Sequence, residues 1–429
     1  VKQIFGWAPK KPVMDDWKLV GEGAMTQADF EAKWGEKLLD PKRPELGPRS
    51  NRFAMIGGDR MNLLGSRWAL QQFGTINQFN HGGTCGVTGV VANARTHPTT
   101  AFQRMYADID FCRYLIVWGT EPLTANKGPT WTAPRIGRAR ELGMKMVVVD
   151  PRMSKTAEKA DTWLPVKPGF DAELAWGMIR WIIDHERYDE QYLRQPNKAA
   201  ANAVGEPTWA DATYLVNTSD PKGGYVTTVA LGLAEAPQPD ASGKVADPEP
   251  VCLVNGQVTP TASAPTADLD AEVELSIGGK PVLAKTVFRL LRERAQSRTL
   301  EEWVGDAGVD PQTVADVARE FTSHGKRAAI TSYRGPAMHA NGFDAIRAIA
   351  YLNFLIGNHD WKGGHITGQK GSARGPAATT WRRWRTPTRR GASRSRGRSP
   401  STRTPRSSRP TATRPSGAGT SSPATCATR

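Results

Sequence analysis

Tyr114-Leu115-Ile116-Val117-Trp118-Gly119-Thr120-Glu121-Pro122 is an apolar run that ends in a turn. Five consecutive apolar residues with no polar alternation suit a strand covered on both faces, as in a parallel sheet. Downstream, Thr132 to Leu142 reads as a helix stopped by Gly143. Met146-Val147-Val148-Val149 is a second buried strand, closed by Asp150-Pro151, and Ala160 to Pro165 suggests a short third one. Asp171 to Glu186 follows as a helix whose apolar face runs through Leu174, Met178, Trp181 and Ile182. Strand, turn and helix alternating at this spacing predict a doubly wound α/β fold, with ligands at the carboxyl ends of its strands.

Further out the pattern is mixed. Residues 1–50 read as short helices and loops. Residues 53–79, with Leu63, Leu64, Trp68, Leu70 and Phe73, suggest an amphipathic helix. A loop of small residues, His81 to Gly86, follows. Residues 196–285 are rich in Pro, Ala, Asp and Thr and read as an insertion with brief β-like stretches such as Val251 to Val254. Leu300 to Phe321 returns to a helical pattern. Ala328 to Thr331 is another strand running into Arg334-Gly335, and Asp344 to Leu355 is a helix ahead of Gly357-Asn358.

The net charge of +15 over 429 residues points at first to nucleic acid or an acidic surface. Its distribution says otherwise. Residues 371–429 hold 14 Arg and no Lys, Asp or Glu, while residues 1–370 are nearly balanced, with 43 basic against 42 acidic side chains. That last segment uses only Gly, Ser, Ala, Arg, Pro, Thr, Trp and Cys. All eight can be encoded with G or C at the second codon position. A shifted reading frame in a GC-rich gene produces this alphabet, so we read the frame as altered after Lys370. The alternative is a disordered Arg-rich tail that binds a polyanion such as RNA. Sequencing across codon 370 separates the two. The balanced body gives no reason to expect a nucleic-acid partner.

No apolar run reaches the roughly 20 residues of a membrane helix. Residue 1 is Val and no signal-peptide pattern follows it, so either the protein is cytosolic or its start lies upstream. The four cysteines, Cys85, Cys112, Cys252 and Cys426, form no close pair, and no zinc or iron–sulfur site is visible by spacing.

Several residues could carry chemistry. Cys85, between Gly83 and Gly86, is either a thiolate ligand or nucleophile, or a small buried hydrophobe in a turn. His81 could orient chemistry nearby or simply hydrogen-bond. The turn Gly119 to Pro122 could offer free backbone N–H groups to a phosphate. Asp150 could hold a ribose or base edge, or merely end a strand. Arg334 could pair with an anion, and Gly335, His339, Asn341 and Gly342 could form a ligand loop or an ordinary one. G-x-G-x-x-G is absent, which disfavours ordinary NAD binding.

Taken together, four blocks resemble the molybdopterin oxidoreductases. They are Phe73-Gly74-Thr75 through Asn77 and His81 to Cys85; Val117 to Pro122; Val149-Asp150-Pro151-Arg152 through Trp163-Leu164-Pro165 to Pro168-Gly169-Phe170-Asp171; and Arg334-Gly335 through Asn341-Gly342 to Gly357-Asn358 and Gly363-Gly364. Within the family, the Gly-Gly-Thr-Cys-Gly stretch and residues 168–181 look most like tetrathionate reductase catalytic subunits, with respiratory arsenate reductases next. The resemblance implies a molybdenum bis(molybdopterin guanine dinucleotide) cofactor with Cys85 as the metal ligand. It implies that Trp118, Gly119, Thr120, Glu121, Pro122, Asp150, Arg152, Gly169 and Asp171 contact one dinucleotide. Gly335, His339, Asn341 and Asn358 would lie near the metal or the second pterin, and His81 and Arg334 beside the reaction. It further implies a periplasmic location and a small oxyanion substrate. The partners it implies are a membrane anchor and an iron–sulfur electron-transfer subunit.

The family's usual four-Cys motif for a 4Fe-4S cluster has no counterpart here, since no cysteine precedes Cys85. The chain is therefore expected to be an internal fragment that does not turn over alone. Its expected organisation is a first part of an α/β domain at 1–84, a Rossmann-like dinucleotide domain at 85–299, a return of the first domain at 300–370 and the tail at 371–429.

Overall fold

The structure is a computed structural model. It describes residues 3–57, 67–80, 86–96, 105–125, 132–220, 223–240, 243 and 245–367. His81, Cys85 and the expected Arg-rich tail lie outside the described residues.

Along the chain, α1 (Lys10–Gly21) and α2 (Gln27–Trp34) pack around Phe30 and Trp34. Next come β1 (Met55–Gly57), β2 (Gln78–Asn80), α3 (Val87–Thr96), β3 (Met105–Ala107) and β4 (Tyr114–Trp118). The α/β core continues with α4 (Ala133–Glu141), β5 (Lys145–Val149), β6 (Thr162–Leu164) and α5 (Asp171–Asp184). Short helices α6 (Glu190–Leu193) and α7 (Lys198–Ala203) lead to β7 (Leu215–Asn217), β8 (Val251–Val254), β9 (Gln257–Pro260), β10 (Glu272–Ile277) and β11 (Lys280–Thr286). The chain then runs through α8 (Val287–Gln296), α9 (Leu300–Ala307), α10 (Pro311–Ser323), β12 (Ala328–Ser332), α11 (Gly342–Leu355) and β13 (His365–Thr367).

The central sheet has the order β12-β4-β5-β6, all parallel. Its strands alternate strictly between two cores. Tyr114, Ile116, Trp118, Val147, Val149 and Ile330 face α5, α9, α10 and α11. Leu115, Val117, Met146, Val148 and Ala329 face α4 on the other side. Both sets are apolar because both faces are covered, which is why β4 reads as a continuous apolar run. The chain moves outward from β4 to β5 to β6, and β12 is added on the opposite flank of β4. That reversal opens a crevice beyond the carboxyl ends of β4 and β12.

Three expectations change. Residues 53–79 are not one amphipathic helix. Among the described residues they form β1, a short π-helical turn at Trp68–Phe73 and β2, which pairs in parallel with β1. Phe53, Trp68 and Phe73 cluster with Phe5 in an aromatic knot, and Leu63 and Leu64 lie outside the described residues. The helical pattern at 300–321 is two helices. Gly308 takes a left-handed φ of 71°, and Asp310 caps a new helix with Pro311 in its first turn. Residues 196–285 are ordered into a β8–β9 hairpin and an antiparallel β10-β11-β7 sheet around Leu215, Val226, Val251, Leu253 and Ala284.

The division expected at residue 300 is not a break in the sheet. β12 pairs along its whole length with β4, from Ala328 opposite Tyr114 to Ser332 opposite Trp118. The 300–370 segment therefore completes the sheet begun at residue 114.

A partly buried ion cluster ties this segment to the insertion. Lys326 Nζ lies 2.7 Å from Asp189 and 2.8 Å from Glu206, and Trp361 Nε1 donates to Glu206 at 2.9 Å. Glu206 is buried, so removing the lysine strands its charge. Lys326→Ala is expected to cost about 3 kcal/mol in urea unfolding. A loss below about 0.5 kcal/mol would show that the cluster does not hold the two parts together.

Candidate functional site

The loops after β4 and β12 cross backbone to backbone. Gly335 N–H donates to Gly119 O at 2.9 Å, and Gly119 N–H donates to Val149 O at 2.8 Å. A Cβ on Gly335 would lie 2.6 Å from Gly119 Cα, and one on Gly119 would collide with Pro336. Gly119 also sits at φ 58°, where a side chain is strained. Only glycine at both positions allows this approach. The expectation that Gly119 offers a free N–H is corrected: that donor completes the sheet.

Trp118 lies wholly inside, and its Nε1–H donates to Asp171 Oδ1 at 2.8 Å. The indole therefore positions Asp171, the first residue of α5. Asp171 is 5% exposed, and burial pushes its carboxyl above the usual carboxylate range. The Trp118 hydrogen bond and the nearby His339 offset part of that rise. Gly169, at φ 88°, accepts from Asn341 Nδ2 at 2.8 Å through its carbonyl, and a Cβ there would lie 3.8 Å from His339 Nδ1. Trp118, Gly119, Gly169, Asp171, Gly335, His339 and Asn341 are thus gathered at one end of the sheet.

A second lock fixes the neighbouring turn. Glu121 Oε1 accepts from Thr156 N at 2.9 Å and Thr156 Oγ1 at 2.6 Å, and Glu121 Oε2 lies 3.5 Å from Arg152. Burial raises this carboxyl, but hydrogen bonds from Thr156, Ser154 and Thr124 outweigh it and hold it below the ordinary range. Glu121 therefore clamps the turn after β4 onto the turn after β5. Thr120 is half-buried and Pro122 buried in the clamped turn. Asp150 Oδ1 accepts from Arg152 N at 2.9 Å, and Trp163 Nε1 donates to Asp150 O at 2.8 Å. The Arg152 side chain is 77% exposed. Arg334 is exposed, with its guanidinium 5.0 Å from the Tyr333 ring centroid.

Asn358 is not part of this group. It is fully buried, and its Nδ2 donates to Ala328 O at 2.7 Å and Asn353 Oδ1 at 2.9 Å. Ala328 begins β12, so Asn358 sits at the amino end of the strand, about 13 Å from the crevice at a rise of about 3.3 Å per residue. Its Oδ1 is buried with no hydrogen-bond partner among the described residues. Thr156 was not legible as a site residue, because its partner Glu121 lies in another turn and no local pattern marks it. Among the described residues no three His, Cys, Asp or Glu side chains gather as a metal site.

The loops after β4, β5 and β12 and the start of α5 carry two acidic groups, Asp150 and Asp171, and basic groups at Arg152, Arg334 and His339. This set suits an extended ligand with N–H or O–H groups and anionic ones. A family model described as molybdopterin oxidoreductase matches residues 49–397.

The chain belongs to the molybdopterin oxidoreductase family.

It is 34% identical over 374 residues to a selenate reductase subunit of Mesobacillus selenatarsenatis, covering 82% of this chain and 34% of that protein. It is 30% identical over 342 residues to a tetrathionate reductase subunit of Salmonella typhimurium, covering 77% of this chain and 32% of that protein. Acetylene hydratase from Pelobacter acetylenicus superimposes with a TM-score of 0.45 at 19% identity, over 73% of this chain and 31% of that one. The chain spans about one third of the length of these relatives. The molybdopterin oxidoreductase family implies a molybdenum–molybdopterin cofactor.

Asp171 gives a direct test of the site's electrostatics. Its folded-state carboxyl titrates above its unfolded value, so its contribution to stability is full below about pH 4 and is lost as pH rises through the folded value. Asp171→Asn keeps the Oδ1 acceptor for Trp118 and removes the charge. The variant should melt higher than the wild type at pH 7, and the difference should close near pH 3.5. Equal melting at both pH values would contradict this.

Proposed function

We propose that the crevice at the carboxyl ends of β4, β5 and β12 seats one guanine dinucleotide of a molybdenum bis(molybdopterin guanine dinucleotide) cofactor. The observation that carries this is the Gly119–Gly335 crossing: two backbones packed with no room for a Cβ at either position, at the point where the strand order reverses and doubly wound folds hold their ligands. The residues present fit such a group. Asp150 and Asp171 would accept from N–H and O–H groups of base and ribose, and Arg152 would meet a phosphate oxygen. Glu121 and Trp118 act indirectly, by holding the turn and the Asp171 carboxyl. Cys85 is the proposed metal ligand, and His81 is proposed to take part in the reaction. When bound, the group supplies two-electron redox chemistry.

The proposed reaction is reduction of a small chalcogen oxyanion in anaerobic respiration. Tetrathionate accepts two electrons, its central S–S bond breaks and two thiosulfates leave. His339 and Arg334 are placed to neutralise a dianion at the mouth of the crevice. Selenate is the second reading, favoured by the 34% identity to a selenate reductase subunit. The 429 residues are proposed as one part of a longer catalytic polypeptide, since they match about a third of each relative's length. The proposed setting is periplasmic, with a 4Fe-4S cluster elsewhere in that polypeptide. Its proposed partners are a membrane anchor and an iron–sulfur electron-transfer subunit.

The test uses the complete catalytic polypeptide and follows oxidation of reduced viologen with tetrathionate and with selenate. Tetrathionate turnover about tenfold or more above selenate is expected, with molybdenum lost in Cys85→Ala. The reverse preference establishes the selenate reading, and a wild-type enzyme without molybdenum overturns both.

A further inference from the structure

A small cavity of about 30 Å³ lies between β12, α11 and α3. Its polar lining is His365, Asn93, Ser332 and Asn353, and aliphatic side chains of β12 and α11 close the rest. In liquid water one molecule occupies about 30 Å³.

His365 has an unmet requirement there. Its ring is 6% exposed. Its Nε2 meets the Ile330 carbonyl oxygen, which can only accept, so Nε2 carries the proton. Burial pulls the ring's pKa down to about 4, so it is neutral at pH 7 and Nδ1 is an acceptor. Nδ1 is buried with no hydrogen-bond partner among the described residues. Asn353 is already committed: its Oδ1 accepts from Asn358 Nδ2 and Ile330 N, and its Nδ2 donates to Ile349 O. The cavity therefore offers an acceptor without a donor, enough room for one water and further polar groups to hold it.

We propose that this cavity is the seat of a single bound water that donates to His365 Nδ1 and joins α3, β12 and α11 to the segment ending in β13. The joint sits under a helix that matters. α3 starts two residues after Cys85, and at Gly89 it packs close to Ala337 and Tyr333 O in the loop after β12. His365 is thus a positioning residue for the helix that follows the proposed metal ligand. The water site itself stands whether or not the functional proposal holds.

The experiment is a crystal structure of the 429-residue chain at about 1.5 Å, together with His365→Gln and His365→Leu. Glutamine can still donate to Ile330 O and accept from the water; leucine can do neither. The wild type and H365Q should show a water within hydrogen-bond distance of Nδ1 or its replacement oxygen, and H365L should show none. Amide hydrogen exchange in α3 should quicken about tenfold in H365L and stay unchanged in H365Q. A dry cavity in the wild type, or the Asn93 side chain bonded directly to Nδ1, overturns the site. Unchanged α3 exchange in an H365L chain that has lost the water overturns the positioning role. If H365L does not fold, the wild-type and H365Q structures still decide the water.

Discussion

The contact on which the rest of this site depends is the crossing of two backbones at Gly119 and Gly335. β4 and β12 are parallel neighbours, and their chains leave the sheet side by side. Gly119 uses both its peptide groups, giving its N–H to Val149 and its carbonyl to Gly335. With no Cβ at either position the loops lie against each other beyond the strand ends. The loop of Pro336 and Ala337 then runs directly to α11, whose Gly342 is held so close that a Cβ would lie 2.5 Å from Ala337 O. The positions of His339 and Asn341 follow from these two constraints.

Around the crossing, polar groups are spent in two ways. Glu121 is satisfied by Thr156 and stabilises its turn as a carboxylate. Asp171 is buried against Trp118, and its ionised form is disfavoured. Asn358 shows another case, a buried amide whose Nδ2 serves the Ala328 carbonyl and the Asn353 side chain.

Much of the fold was legible in the sequence where burial leaves a simple pattern. β4 and β5 are covered on both faces, so their apolar runs are continuous. α5 shows its apolar stripe because one face meets the sheet. The glycines at 119 and 335 were legible as turn and loop positions, though not as partners of each other, since 216 residues separate them. Asn358 was misplaced because distance along the chain from Arg334 does not say which end of β12 the chain returns to. The helical pattern at 300–321 hid a break, because Gly308 and Pro311 act within a stretch that is apolar on both sides. In β10 the alternation of exposed and half-buried residues was present, but turn-rich flanks masked it.

The most direct test of the crossing is Gly335→Ala, measured by urea unfolding beside Gly137→Ala. Gly335 has φ −46°, which alanine accepts, so any cost there is steric. Gly137 lies in α4 with nothing within 4 Å of a Cβ. Gly335→Ala should lose about 3 kcal/mol. Gly137→Ala should be neutral or gain up to about 1 kcal/mol. A Gly335→Ala chain as stable as the wild type would contradict the account.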